Sequence, residues 1–72
     1  MNTTQRITKT AQALGYTVSS EFGGELVARN AQGEARMSAT IVDGRFHGGY
    51  TTDRMGHVVS HRTVREFIAS AA

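Results

Sequence analysis

Two features of the chain predict an α+β fold: an antiparallel β-meander of three to four strands with an N-terminal and a C-terminal helix packed on one face, in the order α-β-β-β-β-α. From Gly15 to Thr52 the residues alternate in character with period two, and glycine-containing turns interrupt the alternation. At either end the period changes, because Ile7, Ala11 and Leu14 before this stretch, and Val64, Phe67, Ile68 and Ala71 after it, fall at helical spacing. A chain of 72 residues suffices for a single small α+β domain, 1–72. A core of that size leaves stability marginal or dependent on self-association.

The first helix is predicted over Thr3 to Leu14, with Asn2 or Thr3 as its N-cap and Gly15 ending it. Its apolar stripe is narrow and its threonines lower helix propensity, so it needs the sheet to hold it. Tyr16, Val18, Ser20 and Phe22 make one face of the first strand, against Thr17, Ser19 and Glu21. Gly23-Gly24 turns the chain into a second strand, Glu25 to Asn30, with Leu26 and Ala28 on one side and Val27 and Arg29 on the other. After the loop Ala31-Gln32-Gly33, the third strand sets Ala35, Met37, Ala39 and Ile41 inward against Glu34, Arg36, Ser38 and Thr40. Asp43-Gly44 marks a hairpin, since both central residues of a type I′ turn take positive φ. The fourth strand is expected to place Phe46 and Tyr50 inward and Arg45, His47 and Thr51 outward, with Gly48-Gly49 as a bulge or a close approach of another backbone. Thr52 to Gly56 reads as a loop, His57-Val58-Val59 as an extended connector, and Ser60 as the cap of the last helix. The core drawn this way contains Tyr16, Val18, Phe22, Leu26, Met37, Ile41, Phe46, Val64, Phe67 and Ile68.

Eight Lys and Arg residues stand against six Asp and Glu, a formal charge of +2, and all but one of the eight are arginine. That balance suggests an anionic partner, and guanidinium groups bind phosphates and carboxylates in a bidentate way that lysine does not. There is no cysteine, which excludes disulfides, thiolate metal sites and cysteine nucleophiles and suits a reducing compartment. The start, Met1 to Arg6, has no secretory apolar region, and no stretch approaches the roughly 18 apolar residues of a membrane span. A cytoplasmic location without membrane contact is expected.

With the apolar sheet face under the helices, the opposite face collects Arg29, Arg36, Arg45 and His47 among Thr17, Ser19, Ser38, Thr40 and Thr51, interrupted by Glu21 and Glu34. Such a basic, hydroxyl-rich surface suits phosphate backbones or an acidic protein. The same pattern also arises on any one-sided sheet whose Arg and Glu residues pair across strands. Drawn this way the face holds no aromatic ring, which disfavours base stacking. A second cluster, Ser60, His61, Arg62 and Arg65, opens the last helix, where cations oppose the helix dipole unless an anion shares the site with the helix amides. His47, His57 and His61 with Asp53 sketch a metal site, but a cap at Ser60 keeps His57 off the helix that would align it with His61. No metal or cofactor is expected. Nucleophile elbow, paired carboxylates and phosphate-cradling glycine loop are all missing from the sequence, so no enzymatic activity is expected.

The order helix, antiparallel strands, helix is similar to that of double-stranded-RNA-binding domains. Ser60-His61-Arg62 followed by Arg65 resembles the serine and two basic residues that open their last helix. Phe22-Gly23-Gly24-Glu25 departs from the Gly-Pro-x-His loop those domains carry after the first strand. HicA-type messenger-RNA interferases share the topology, but their Gly-Ser-His element on the second strand has no counterpart. The arrangement hosts unrelated activities and transfers no function by itself.

The residues therefore point to a small non-enzymatic binding module that engages a polyanion, nucleic acid foremost, through Ser60, His61, Arg62 and Arg65 and through Arg29, Arg36, Arg45 and His47. The alternative is a small protein-interaction or inhibitory factor of the mobile-element type, binding a host or partner protein through an edge strand or through the same basic face against an acidic protein surface. The edges of the meander favour a homodimer over a monomer.

Overall fold

In the computed structural model, which describes residues 2–71, helix α1 runs over Thr3–Ala13. Met1 and Ala72, the ends of the expected 1–72 domain, lie outside the described residues. Asn2 is the N-cap: its side chain accepts from the Gln5 amide at 2.8 Å, and the Gln5 side chain accepts from the Asn2 amide at 3.1 Å. This reciprocal box satisfies two amides that the first helical turn leaves without partners. The stripe Ile7 and Ala11 is buried, whereas Leu14, at the helix end, is 40% exposed.

Five strands follow: β1 (Thr17–Glu21), β2 (Glu25–Arg29), β3 (Ala35–Val42), β4 (Arg45–Thr52) and β5 (Val58–His61). They form one antiparallel sheet in the order β1-β2-β3-β4-β5, and α2 (Val64–Ala71) closes the chain. The α+β meander with flanking helices is thus the observed fold. At the β3–β4 hairpin Asp43 and Gly44 take φ of 50° and 76°, as the turn type requires. Helix α1 packs on β1 and α2, and α2 packs on β4 and β5, so both helices cover the same sheet face. Between them lie Ile7, Ala11, Leu26, Ala28, Met37, Ala39 and Phe67, with Tyr16, Val18, Ile41, Phe46, Val64, Ile68 and Ala71 packed around this centre.

Three sequence expectations are corrected here. Phe22 is not in the core: it sits in the β1–β2 turn and is fully exposed, because the chain has left the sheet before its side chain can be covered. Tyr50 and Thr51 exchange faces. The β3–β4 register shifts between Ala39 and Ile41, so that Phe46 opposes Ile41, Gly49 opposes Ala39 and Thr51 opposes Met37. The extra residue at Gly48, with φ of 124°, moves the alternation by one, turning Thr51 into the core and Tyr50 out.

The third correction concerns the last helix. Ser60 does not cap it, because Val58 to His61 pair with Gly49 to Thr52 as a fifth strand. The helix starts after Thr63, whose Oγ1 accepts from the Glu66 amide at 3.2 Å. Ser60 and His61 are therefore strand residues, Arg62 lies in the bend before the cap, and only Arg65 of that cluster is helical. Among the described residues no helix is long and apolar enough to cross a membrane.

Candidate functional site

Among the described residues no helix covers the face of the sheet away from α1 and α2, and the register assigns its side chains. Ser19, Val27, Ser38, Tyr50 and Ser60 oppose one another across the sheet. Val27 is nevertheless only 4% exposed, so the middle of the face is closely packed. Tyr50 is different. Its partners on both sides are serines, too short to cover a ring, and it remains 53% exposed.

Beside Tyr50 the face dips into a groove of about 350 Å³. Its floor exists because β4 carries no side chain at Gly48, where the bulge would otherwise place one. A β-carbon on Gly48 meets nothing nearer than the His61 carbonyl at 3.9 Å, so the space above it is open. Glu25 of β2 and Ser38 and Thr40 of β3 border one side, and His47 and Tyr50 of β4 border the middle. Ser60, His61 and Arg62 close the groove at β5. Hydroxyls thus line it, with a guanidinium at the β5 end and a carboxylate at the β2 end. A second depression of about 300 Å³, bordered by Arg36, Ser38, Thr52 and Val58, lies on the other side of Tyr50.

Four of the residues singled out in the sequence, His47, Ser60, His61 and Arg62, meet at this groove. The others do not. Arg29 is engaged elsewhere on the same face, donating to Ser19 Oγ and to Glu21 Oε1, each at 3.2 Å. Arg36 donates to the Asp53 carbonyl oxygen at 3.2 Å, which ties β3 to the β4–β5 turn. Arg45 is exposed next to the β3–β4 hairpin, opposite Val42. Arg65 is in the first turn of α2, in the helix layer, beside the favourably placed Glu66. The face also differs in its acids from the expectation: Glu34 precedes β3, while Glu25 stands on the face itself.

The histidines have separate surroundings. The ring of His61 turns into the core, where Nε2 lies 2.8 Å from Thr51 Oγ1, which in turn lies 3.0 Å from Ser70 Oγ. Its edge also meets the Phe67 ring, with centroids 6.0 Å apart. His57 is bound up with Asp53: the carboxylate accepts from the Met55 and His57 amides at 2.9 Å, and its other oxygen lies 3.5 Å from His57 Nδ1. The His57 amide above all holds the Asp53 carboxyl below its usual range. Among the described residues no three His, Asp or Glu side chains converge on a common point, so the sketched metal site of His47, His57, His61 and Asp53 is not assembled.

The sequence reading missed Tyr50 and Glu25 as members of the site. The signal for Tyr50 was present in Gly48-Gly49, because a bulge of one residue reverses every face assignment beyond it. Compared with family models, with curated proteins and with solved structures, the chain gives no match.

Proposed function

We propose that this chain is a non-enzymatic binding module that engages a polyanion, nucleic acid, on the open face of its sheet. The observation that carries the reading is the groove itself. Arg62 and His47 border a floor without side chains, with the hydroxyls of Ser38, Thr40 and Ser60 around it. A glycine floor lets a ligand backbone come close, arginine supplies charge, and hydroxyls supply short hydrogen bonds to phosphate oxygens. Arg36 and Arg45 extend the positive charge over the same face. The absence of cysteine fits work in the reducing cytoplasm.

Titration of labelled duplex DNA, duplex RNA and single strands at low salt tests this. Binding that weakens steeply as salt is raised is the expected result, since each neutralised phosphate releases counterions. No binding to any of the three overturns it.

A second reading has its own support. β5 is an edge strand, and Val58 and Val59 on it and Met55 before it are exposed. Such an edge suits a protein-interaction or inhibitory role through strand addition, a second copy of the chain included. That interface would depend on its apolar anchors and little on salt. Light scattering of the purified chain decides whether the second copy is the partner.

A further inference from the structure

Resting on the polyanion reading, and narrowing it, we infer that the open face takes single-stranded nucleic acid, with a base stacked on Tyr50 and a neighbouring phosphate held at Arg62 and His47. Three observations combine. The Tyr50 ring is the aromatic group of this face, half exposed between two serines, and it borders both depressions. Cations lie on either side of it, Arg62 along the depression that His47 also borders and Arg36 along the other. This sequence of cation, ring and cation matches the order of phosphate, base and phosphate along an unpaired strand.

The third observation is Glu25. It stands on β2 at the end of the groove opposite Arg62, so the groove is not uniformly attractive to phosphate. A duplex laid across the face presents a rigid row of phosphates, one of which meets this carboxylate, and it offers no unstacked base to the ring. A single strand instead turns a base edge toward Glu25, whose carboxylate accepts hydrogen bonds from base N–H groups. The charge pattern and the ring favour the same occupant.

The test is fluorescence anisotropy of the full chain and its Tyr50→Ala and Tyr50→Phe variants with labelled oligo(dT), oligo(rU) and a DNA duplex of matched length. Tyr50→Ala is expected to weaken single-strand binding by about tenfold or more, the loss of one stacked base, while Tyr50→Phe keeps most of the affinity. The ratio between oligo(dT) and oligo(rU) tells whether DNA or RNA is the source. Because the ring is exposed, circular dichroism of both variants should match the parent. Unchanged single-strand affinity in Tyr50→Ala, or a parent that prefers the duplex, overturns the single-strand assignment and leaves the polyanion reading standing. Failure to bind all three probes removes both.

Discussion

Gly49 and Phe67 are in direct contact across the interface between sheet and helix: a β-carbon on Gly49 would lie 2.9 Å from Cδ1 and Cε1 of the Phe67 ring and 2.8 Å from the Ser38 carbonyl oxygen. Phe67 is fully buried, and its ring also meets Phe46 with centroids 5.4 Å apart. The two glycines of β4 thus serve the two sides of the sheet. Gly49 lets α2 sit down on the core face, and Gly48 opens the groove on the other.

Replacing Gly49 by alanine should therefore destabilise the fold by about 1 to 3 kcal/mol, because the strand backbone on one side and a buried ring on the other cannot both give way. Phe67→Ala should cost about 3 to 5 kcal/mol, enough to unfold so small a protein. Phe22→Ser, at a fully exposed ring, should stay within about 0.5 kcal/mol of the parent. Urea denaturation of the three variants checks the series, and a Phe22 variant as damaged as Phe67→Ala contradicts the placement of the turn.

A second prediction concerns the buried hydroxyl of Thr51, which links His61 of β5 to Ser70 of α2. Thr51→Val keeps the shape and removes the partner of a ring nitrogen on a residue only 9% exposed. The expected loss is about 1 to 3 kcal/mol, while Thr51→Ser should recover most of it. Equal stability of the valine and serine variants contradicts a role for the hydrogen bond.

The places where sequence and structure part company share one physical cause, the control of phase. Alternation names the faces of Thr17–Glu21, Glu25–Arg29 and Met37–Ile41 correctly, since a period of two survives as long as no residue is inserted. It fails at Ala35, expected inward but exposed where the β2–β3 register shifts between Ala28 and Arg29. At Gly48-Gly49 the sequence predicts a bulge, and the inserted residue reverses the faces beyond it, which puts Tyr50, expected inward, on the open side. Beyond Thr52 the segment Val58 to His61 is too short for alternation to identify a strand. The start of α2 is nevertheless legible in Thr63-Val64-Arg65-Glu66, a capping-box spacing, while Ser60 is held in β5 by its pairing with Tyr50. Alternation with Val27 and Arg29 places Glu25 on the open face, whereas the groove it borders is not legible, because the bulge at Gly48 opens it.

The β4–β5 turn should respond to acid. The Asp53 carboxyl is held below its ordinary value of 3.8, chiefly by the His57 amide and also by that of Met55. A depressed carboxyl pKa in the folded state adds stability that is fully present above the unfolded value and disappears as pH falls through the folded one. The turn should therefore keep its geometry from neutral pH down past 3.8 and loosen only below that. Amide shifts of Met55 and His57 followed by NMR during acid titration check this, and Asp53→Asn should remove the step. A midpoint at or above 3.8 contradicts the assigned hydrogen bonds.

The arginines provide the sharpest separation among the functional readings, because they differ in where the fold has left them. Arg62 borders the groove, Arg29 is occupied by Glu21 and Ser19, and Arg65 rides on the helix layer at the back of the sheet. Arg62→Ala should weaken nucleic-acid binding and flatten the dependence of log K on log salt by about 0.7 for a single strand, the loss of one phosphate contact. Arg29→Ala and Arg65→Ala should leave both quantities near those of the parent, since neither side chain reaches the groove. Anisotropy titrations over a range of salt concentrations measure both. An Arg65 variant that loses as much affinity as the Arg62 variant would mean that the polyanion lies across the helices, where the first turn of α2, rather than the glycine floor of β4, supplies the binding surface.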